Sequence, residues 1–191
     1  VRFRNSVIDE TLLDVGIRPR GHSARQHPKF PWKLDFNEFI AGRQFHGVEK
    51  LNVNAVQVDP SISRDSLVFQ VFQVFREAGV PAPRTHHAWL TINDGSKVQG
   101  VYDVCEQVDE EFLEAWFGSK TGDLYKCRHN NGGADPKWVA PGLPASYAAL
   151  DCYEAQVTGG FVELAGFIDF VDHADDPAFA AGIGLRLTVD P

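Results

Sequence analysis

The hydrophobic period of this chain changes at Asp59-Pro60, and that change limits the fold more than any other feature. Before it, residues alternate. In EKLNVNAV (49–56), Leu51, Val53 and Ala55 point one way while Lys50, Asn52 and Asn54 point the other, as in a strand with one buried face. LLDVGIRPRG and FPWKLDF alternate in the same way, with HSARQHPK as the turn between them. After it, Leu67, Val71, Val74, Phe75 and Ala78 recur at helical spacing. Asp59 suits the N-cap, Pro60 the first helical position, and Gly79 and Pro81 the stop. RTHHAWLTI and KVQGVYDVCE read as a hairpin turning at Asn93-Asp94-Gly95. Asp109 caps a short helix carrying Phe112, Leu113 and Trp116, which ends at Gly118; DLYKC is a short strand. Residues 128–146, rich in Gly and Pro, read as a long loop of the kind that is functional or mobile. Phe161, Leu164, Ile168 and Val171 mark another helix, and Asp176-Pro177 opens a last one. Strands, one helix, a hairpin and then helices make an α+β chain whose antiparallel sheet comes first.

At 191 residues the chain is long enough to bury a core without covalent staples. No run approaches the roughly 20 apolar residues of a membrane span. A net charge of -8 argues against nucleic acid as a partner. Cys105, Cys127 and Cys152 lack zinc spacing, and one disulfide among them stays open. A chain that starts at Val and contains no Met reads as a fragment or a processed product.

Against that acidic background, Arg18, Arg20, Arg25, Lys29 and Lys33 crowd into residues 16–36, around a Gly-His-Ser turn. Turn N–H groups flanked by guanidinium and ammonium groups suit an anion such as phosphate; the same charges also suit a solvated hairpin. Neither GxxxxGK[ST] nor GxGxxG is present. Lys33 and Lys50 sit inside strands, where a lysine facing a cleft can pair with a nucleotide phosphate and a helix carboxylate, or simply face water. His86 and His87 point to opposite faces of a strand and do not share an ion readily. The DHADD stretch (172–176) reads as a solvated helix cap. Ser23 lacks a GxSxG context. Glu106, at a strand end before QVDEEF, is either a surface residue or part of a hinge where a ligand binds.

Taken in order, these segments resemble the CotH kinase family. GIRPRGHSARQHPKFPWKLDFNEF is similar to its strand, RGxS turn and lysine-bearing return strand. GVYDVCEQVDEEFLEAWFG and GDLYK resemble its GxYxxxEQVDxxFL and GxLYK stretches. The likeness covers about residues 13 to 190, with an extra VFQ step in SLVFQVFQVFREAGVPAPRT and His22 where Asn is common. It implies a protein kinase-like small lobe over 1–108, then a hinge and the incomplete start of a large lobe over 109–191. It implies ATP and magnesium as cofactors and transfer of phosphate to Ser or Thr of coat or surface proteins. By the same resemblance, Arg20, Gly21 and Ser23 belong to the nucleotide-covering turn, Lys33 and Lys50 are the strand lysines, Glu106 and Gln107 form the hinge, and Lys126 is the lysine of LYK. Which lysine meets phosphate stays open, and so do the catalytic residues. By the resemblance, the catalytic and magnesium-binding carboxylates are expected in NWDxxxxNYYLY and PWDxD stretches beyond Pro191, so this piece is expected to be inactive alone. The resemblance also implies an extracellular, cell-surface or spore-coat location. The competing reading is a non-catalytic adhesion module of the invasin type.

Overall fold

In the computed structural model, residues 1–21, 26–57, 59–74, 80–93, 97–128, 133–157 and 160–186 are described. A short hairpin, β1 (Arg2–Arg4) with β2 (Asp9–Thr11), comes first. The alternating segments then form β3 (Gly16–Pro19), β4 (Trp32–Asp35) and β5 (Lys50–Asn54). The helical run becomes α1 (Arg64–Val74), and the hairpin strands become β6 (Thr85–Ile92) and β7 (Lys97–Glu106). These strands form one antiparallel sheet of order β3-β4-β5-β7-β6. The chain is therefore α+β, with the sheet ahead of most helices. It divides into two compact units, Val1–Phe112 and Leu113–Pro191.

In the first unit, the apolar side of the alternation builds the core. Leu34, Phe36, Val48, Val53, Ala55 and Tyr102 are buried, and Phe3, Leu12, Trp32, Phe45 and Leu51 pack against them. The β1–β2 hairpin was not anticipated from sequence; it supplies Phe3, whose ring stacks on Phe45 at 4.2 Å. Arg43 ties the segment after β4 to the hairpin's end, donating to the carbonyls of Phe36 at 2.7 Å, Leu13 at 2.8 Å and Asp14. Burying one such aromatic ring contributes about 2 kcal/mol.

The start of α1 differs from the expectation. Asp59 does cap, accepting N–H bonds from Ser61 (3.1 Å), Ser63 (3.1 Å) and Arg64 (2.8 Å), but its turn precedes a helix that begins only at Arg64. Four hydrogen bonds, counting the Ser61 hydroxyl at 2.7 Å, hold its carboxyl down at about 2. The expected stop at Gly79 and the turn residues Asp94 and Gly95 lie outside the described residues.

In the chain that follows, α2 (Glu110–Phe117) starts behind Asp109 as expected, and Gly118, with φ +69°, ends it. The second unit then holds β8 (Tyr125–Cys127), α3 (Pro144–Ala148), β9 (Tyr153–Ala155), α4 (Val162–His173) and α5 (Asp176–Arg186), with β8 paired to β9. Its core is Tyr147, Cys152, Tyr153, Ala165 and Ile168. The expected loop is anchored to this core over its described part: Ala134, Trp138 and Val139 pack on it, and the Tyr153 hydroxyl donates to the Asp135 carbonyl at 2.6 Å. Gly142 has φ +77°, and a Cβ there would stand 2.6 Å from Trp138 Nε1, so both backbone and space demand glycine. Cys105, Cys127 and Cys152 are free thiols. Among the described residues, no helix is long and apolar enough to cross a membrane.

Candidate functional site

The strand register gives the sheet two unlike faces. Ile17, Leu34, Leu51 and Glu106 form one cross-strand row, on the core side. One residue along, Arg18, Lys33, Asn52, Cys105 and Thr85 form a row on the opposite side. Lys50, Asn54, Asp35 and Asp103 lie two residues from members of that row and share its face. Neighbours in such a row stand about 5 Å apart at Cβ, close enough for their side chains to act together.

Helix α1 covers the β6–β7 end of this polar face. Ser66 donates to Asp103 Oδ1 at 2.5 Å, and both residues are buried. Burial pushes the Asp103 carboxyl up, opposed by the Ser66 hydroxyl. Burial also pushes the Cys105 thiol up to about 12, with Asp103 adding to the shift, so this sulfur stays protonated and is no nucleophile. His87 contacts the Ile62 carbonyl at 2.6 Å, on the same side.

The β3–β5 end carries unbalanced positive charge. Burial lowers the Lys33 amine, and the neighbouring Arg18 and Lys50 lower it further; Asp35 and Asp109 oppose them. Neither the Arg18 nor the Lys33 side chain makes a hydrogen bond or an ion pair with a described residue. Lys50 is held loosely, 3.7 Å from Glu49. Among the described residues, no α1 carboxylate is one of the charges acting on Lys33. Between these cations lies Asn52, 6% exposed, whose Oδ1 has no hydrogen-bond partner. Free cations around a buried, unused acceptor can hold an anionic ligand that also brings a donor.

The other residues expected at the site are distributed unevenly. Arg20 donates to Asn54 Oδ1 at 2.5 Å, placing its guanidinium on the polar face, with burial the main influence on it. Gly21 follows with φ +78°, a conformation that suits glycine at the turn. Ser23 and Arg25 lie outside the described residues. Glu106 faces the core side and is 4% exposed; its carboxylate takes the Arg84 Nη2 at 2.7 Å and the Arg84 Nε and backbone N–H at 3.1 Å. Gln107 donates through its backbone N–H to the Lys50 carbonyl at 3.3 Å. Lys126 belongs to the second unit, where it lies 3.9 Å from Glu154. Lys29, one of the crowded cations, is structural: it donates to the carbonyls of Ala55 (2.9 Å) and Val101 (2.5 Å) and sits over the Tyr102 ring. Sequence reading did not single out Asn52 as a site residue, although its alternation with Lys50 had already put it on the polar face. Among the described residues, no three His, Cys, Asp or Glu come together to hold a metal ion.

Comparison with known proteins gives two results. A family described as CotH kinase protein matches residues 17–190. The inner spore coat protein H of Bacillus subtilis (strain 168) is 30% identical over 106 residues, which are 56% of this chain and 27% of that protein. The match therefore spans only about a quarter of that relative's length.

Proposed function

From the premise that this chain belongs to the CotH kinase protein family, we propose that it forms the nucleotide-binding part of an ATP-dependent Ser/Thr protein kinase that acts on coat or surface proteins. The observation that carries this reading is the polar sheet face, where the Arg18 and Lys33 side chains have no hydrogen-bond or ion-pair partner among the described residues and stand beside Lys50. Arg20 lies on the same face, next to the turn that begins at Gly21. Phosphoryl transfer relies on positioning and on neutralising phosphate charge, and unpaired cations on a rigid sheet supply both. Of the two strand lysines, Lys33 is the stronger candidate for phosphate contact, because Lys50 already has Glu49 nearby. Glu106 and Gln107 would contribute through the backbone next to β5, since the Glu106 side chain is engaged by Arg84. Transfer itself, a Ser-rich acceptor and a place in the spore coat are proposed for the whole protein, following the name of its Bacillus relative.

Titration calorimetry of ATP into this chain tests the reading. Binding is expected, and Lys33→Ala should weaken it about tenfold, the scale of one charge-assisted contact. The whole protein, given ATP and magnesium, should phosphorylate a Ser-rich peptide. A folded chain that ignores ATP, or binds it equally well without the Lys33 amine, would overturn the assignment.

A further inference from the structure

Asn52 has no structural reason to be an amide. It is buried in the middle of the sheet, its Oδ1 is unpartnered, and its row neighbours are Lys33 on β4 and Cys105 on β7. Lys33 and Arg18 are donors a strand or two away, yet neither is bonded to it. A buried acceptor left without a partner costs about 1–3 kcal/mol, and an apolar residue of the same shape would avoid that. Trp32, Tyr102, Asp103 and Asp109 also carry an unpartnered buried polar atom, but Asn52 is the one set in the row with Arg18 and Lys33, where a bound ligand can supply the missing donor. The surroundings define its chemistry. Arg18, Lys33 and Lys50 are long side chains that reach beyond the sheet and favour anionic oxygens. Asn52 is short and recessed between strands, and its free atom accepts hydrogen bonds. The fitting ligand pairs an N–H or O–H group, brought close to the sheet, with a charged tail held further out. Inorganic phosphate lacks the first part; a nucleoside polyphosphate has both.

We infer that Asn52 is a nucleoside-reading residue. Its Oδ1 accepts a hydrogen bond from a base amino or sugar hydroxyl group, while Arg18 and Lys33 meet phosphate oxygens. This rests on the nucleotide reading above, and it adds Arg18 and Asn52 to the binding residues.

The test is calorimetric titration of ATP and, separately, of inorganic tripolyphosphate into the wild-type chain and into Asn52→Leu, Asn52→Ala and Arg18→Ala, with a thermal melt of each. Asn52→Leu should weaken ATP about threefold to tenfold and leave tripolyphosphate unchanged, because one neutral hydrogen bond is lost. Its melting temperature should be equal or higher, since the orphan acceptor is gone; a structural amide would give a lower one. Asn52→Ala carries the same expectation for ligands if the leucine does not fit. Arg18→Ala should weaken both ligands about tenfold. Unchanged ATP affinity in folded Asn52 variants overturns the inference while the nucleotide reading stands. Equal loss for both ligands also overturns it, by making Asn52 a phosphate contact. Wild-type binding of tripolyphosphate but not ATP, or of neither, overturns the nucleotide reading and the Asn52 assignment with it.

Discussion

Asp59 and Asp109 are capping carboxylates with opposite surroundings, and they give stability opposite slopes against pH. Hydrogen bonds from Ser61, Arg64 and Ser63 stabilise the Asp59 anion and hold it at about 2, below its ordinary 3.8. Its contribution is complete above about pH 4 and is lost as pH falls through about 2. Asp109 accepts the Phe112 backbone N–H, but burial and the nearby Glu111 push it up to about 6 despite Lys50. The folded state therefore holds a proton on Asp109 that the unfolded chain has released, and this stabilisation fades as pH rises from about 4 to about 6. Asp109→Asn, which keeps an acceptor for the cap, should remove that decline in urea unfolding compared at about pH 4.5 and about pH 7. An unchanged pH slope would show that Asp109 titrates normally. Asp109 was legible in sequence as a cap, because a short carboxylate ahead of a helix has one obvious use; the sequence puts Asp59 at the N-cap with Pro60 first in the helix, whereas the helix begins only at Arg64. Their titration was not legible, because it depends on neighbours brought in by folding. Glu106 shows the same division: its place at a strand end was readable, but its engagement with Arg84 follows from the strand register.

At the scale of one element, α1 shows where periodicity stops being informative. The spacing of Leu67 and Val71 identifies a helix correctly, yet these residues are 62% and 41% exposed. The buried member of the first turns is Ser66, held by Asp103. Leu67, Val68, Phe69, Val71 and Phe72 together cover more than half of the helix circumference, so their pattern does not select a narrow face, and a single hydroxyl–carboxyl bond marks the one that packs. The double substitution Leu67→Gln, Val71→Gln should change unfolding free energy by under about 0.5 kcal/mol per site. A loss of about 2–5 kcal/mol per site in urea unfolding would instead place this row in a core. The sheet strands were easier to read, since a period of two leaves only two faces, and in 50–55 both were assigned correctly.

Across the whole molecule, a net charge of -8 coexists with a cationic row on one sheet face. The overall field opposes an anionic ligand, so the ATP binding proposed above would have to come from short-range contacts with Arg18, Lys33 and Lys50. Raising salt from about 50 mM to about 500 mM should screen those contacts and weaken ATP several-fold. Salt-independent ATP affinity would mean that the phosphates bind elsewhere. The sequence by itself determined the family, the α+β order, the alternation of the strands and the concentration of cations in 16–36, because each is a property of neighbours along the chain. Only the tertiary structure decided which of the described cations have side-chain partners among the described residues. Antiparallel pairing brings Arg18, Lys33 and Asn52 from three strands into one row, while folding turns Lys29 onto two backbone carbonyls. The physical reason is that a cationic row across strands is made by register between them, and register is fixed by what the opposite, apolar face must bury.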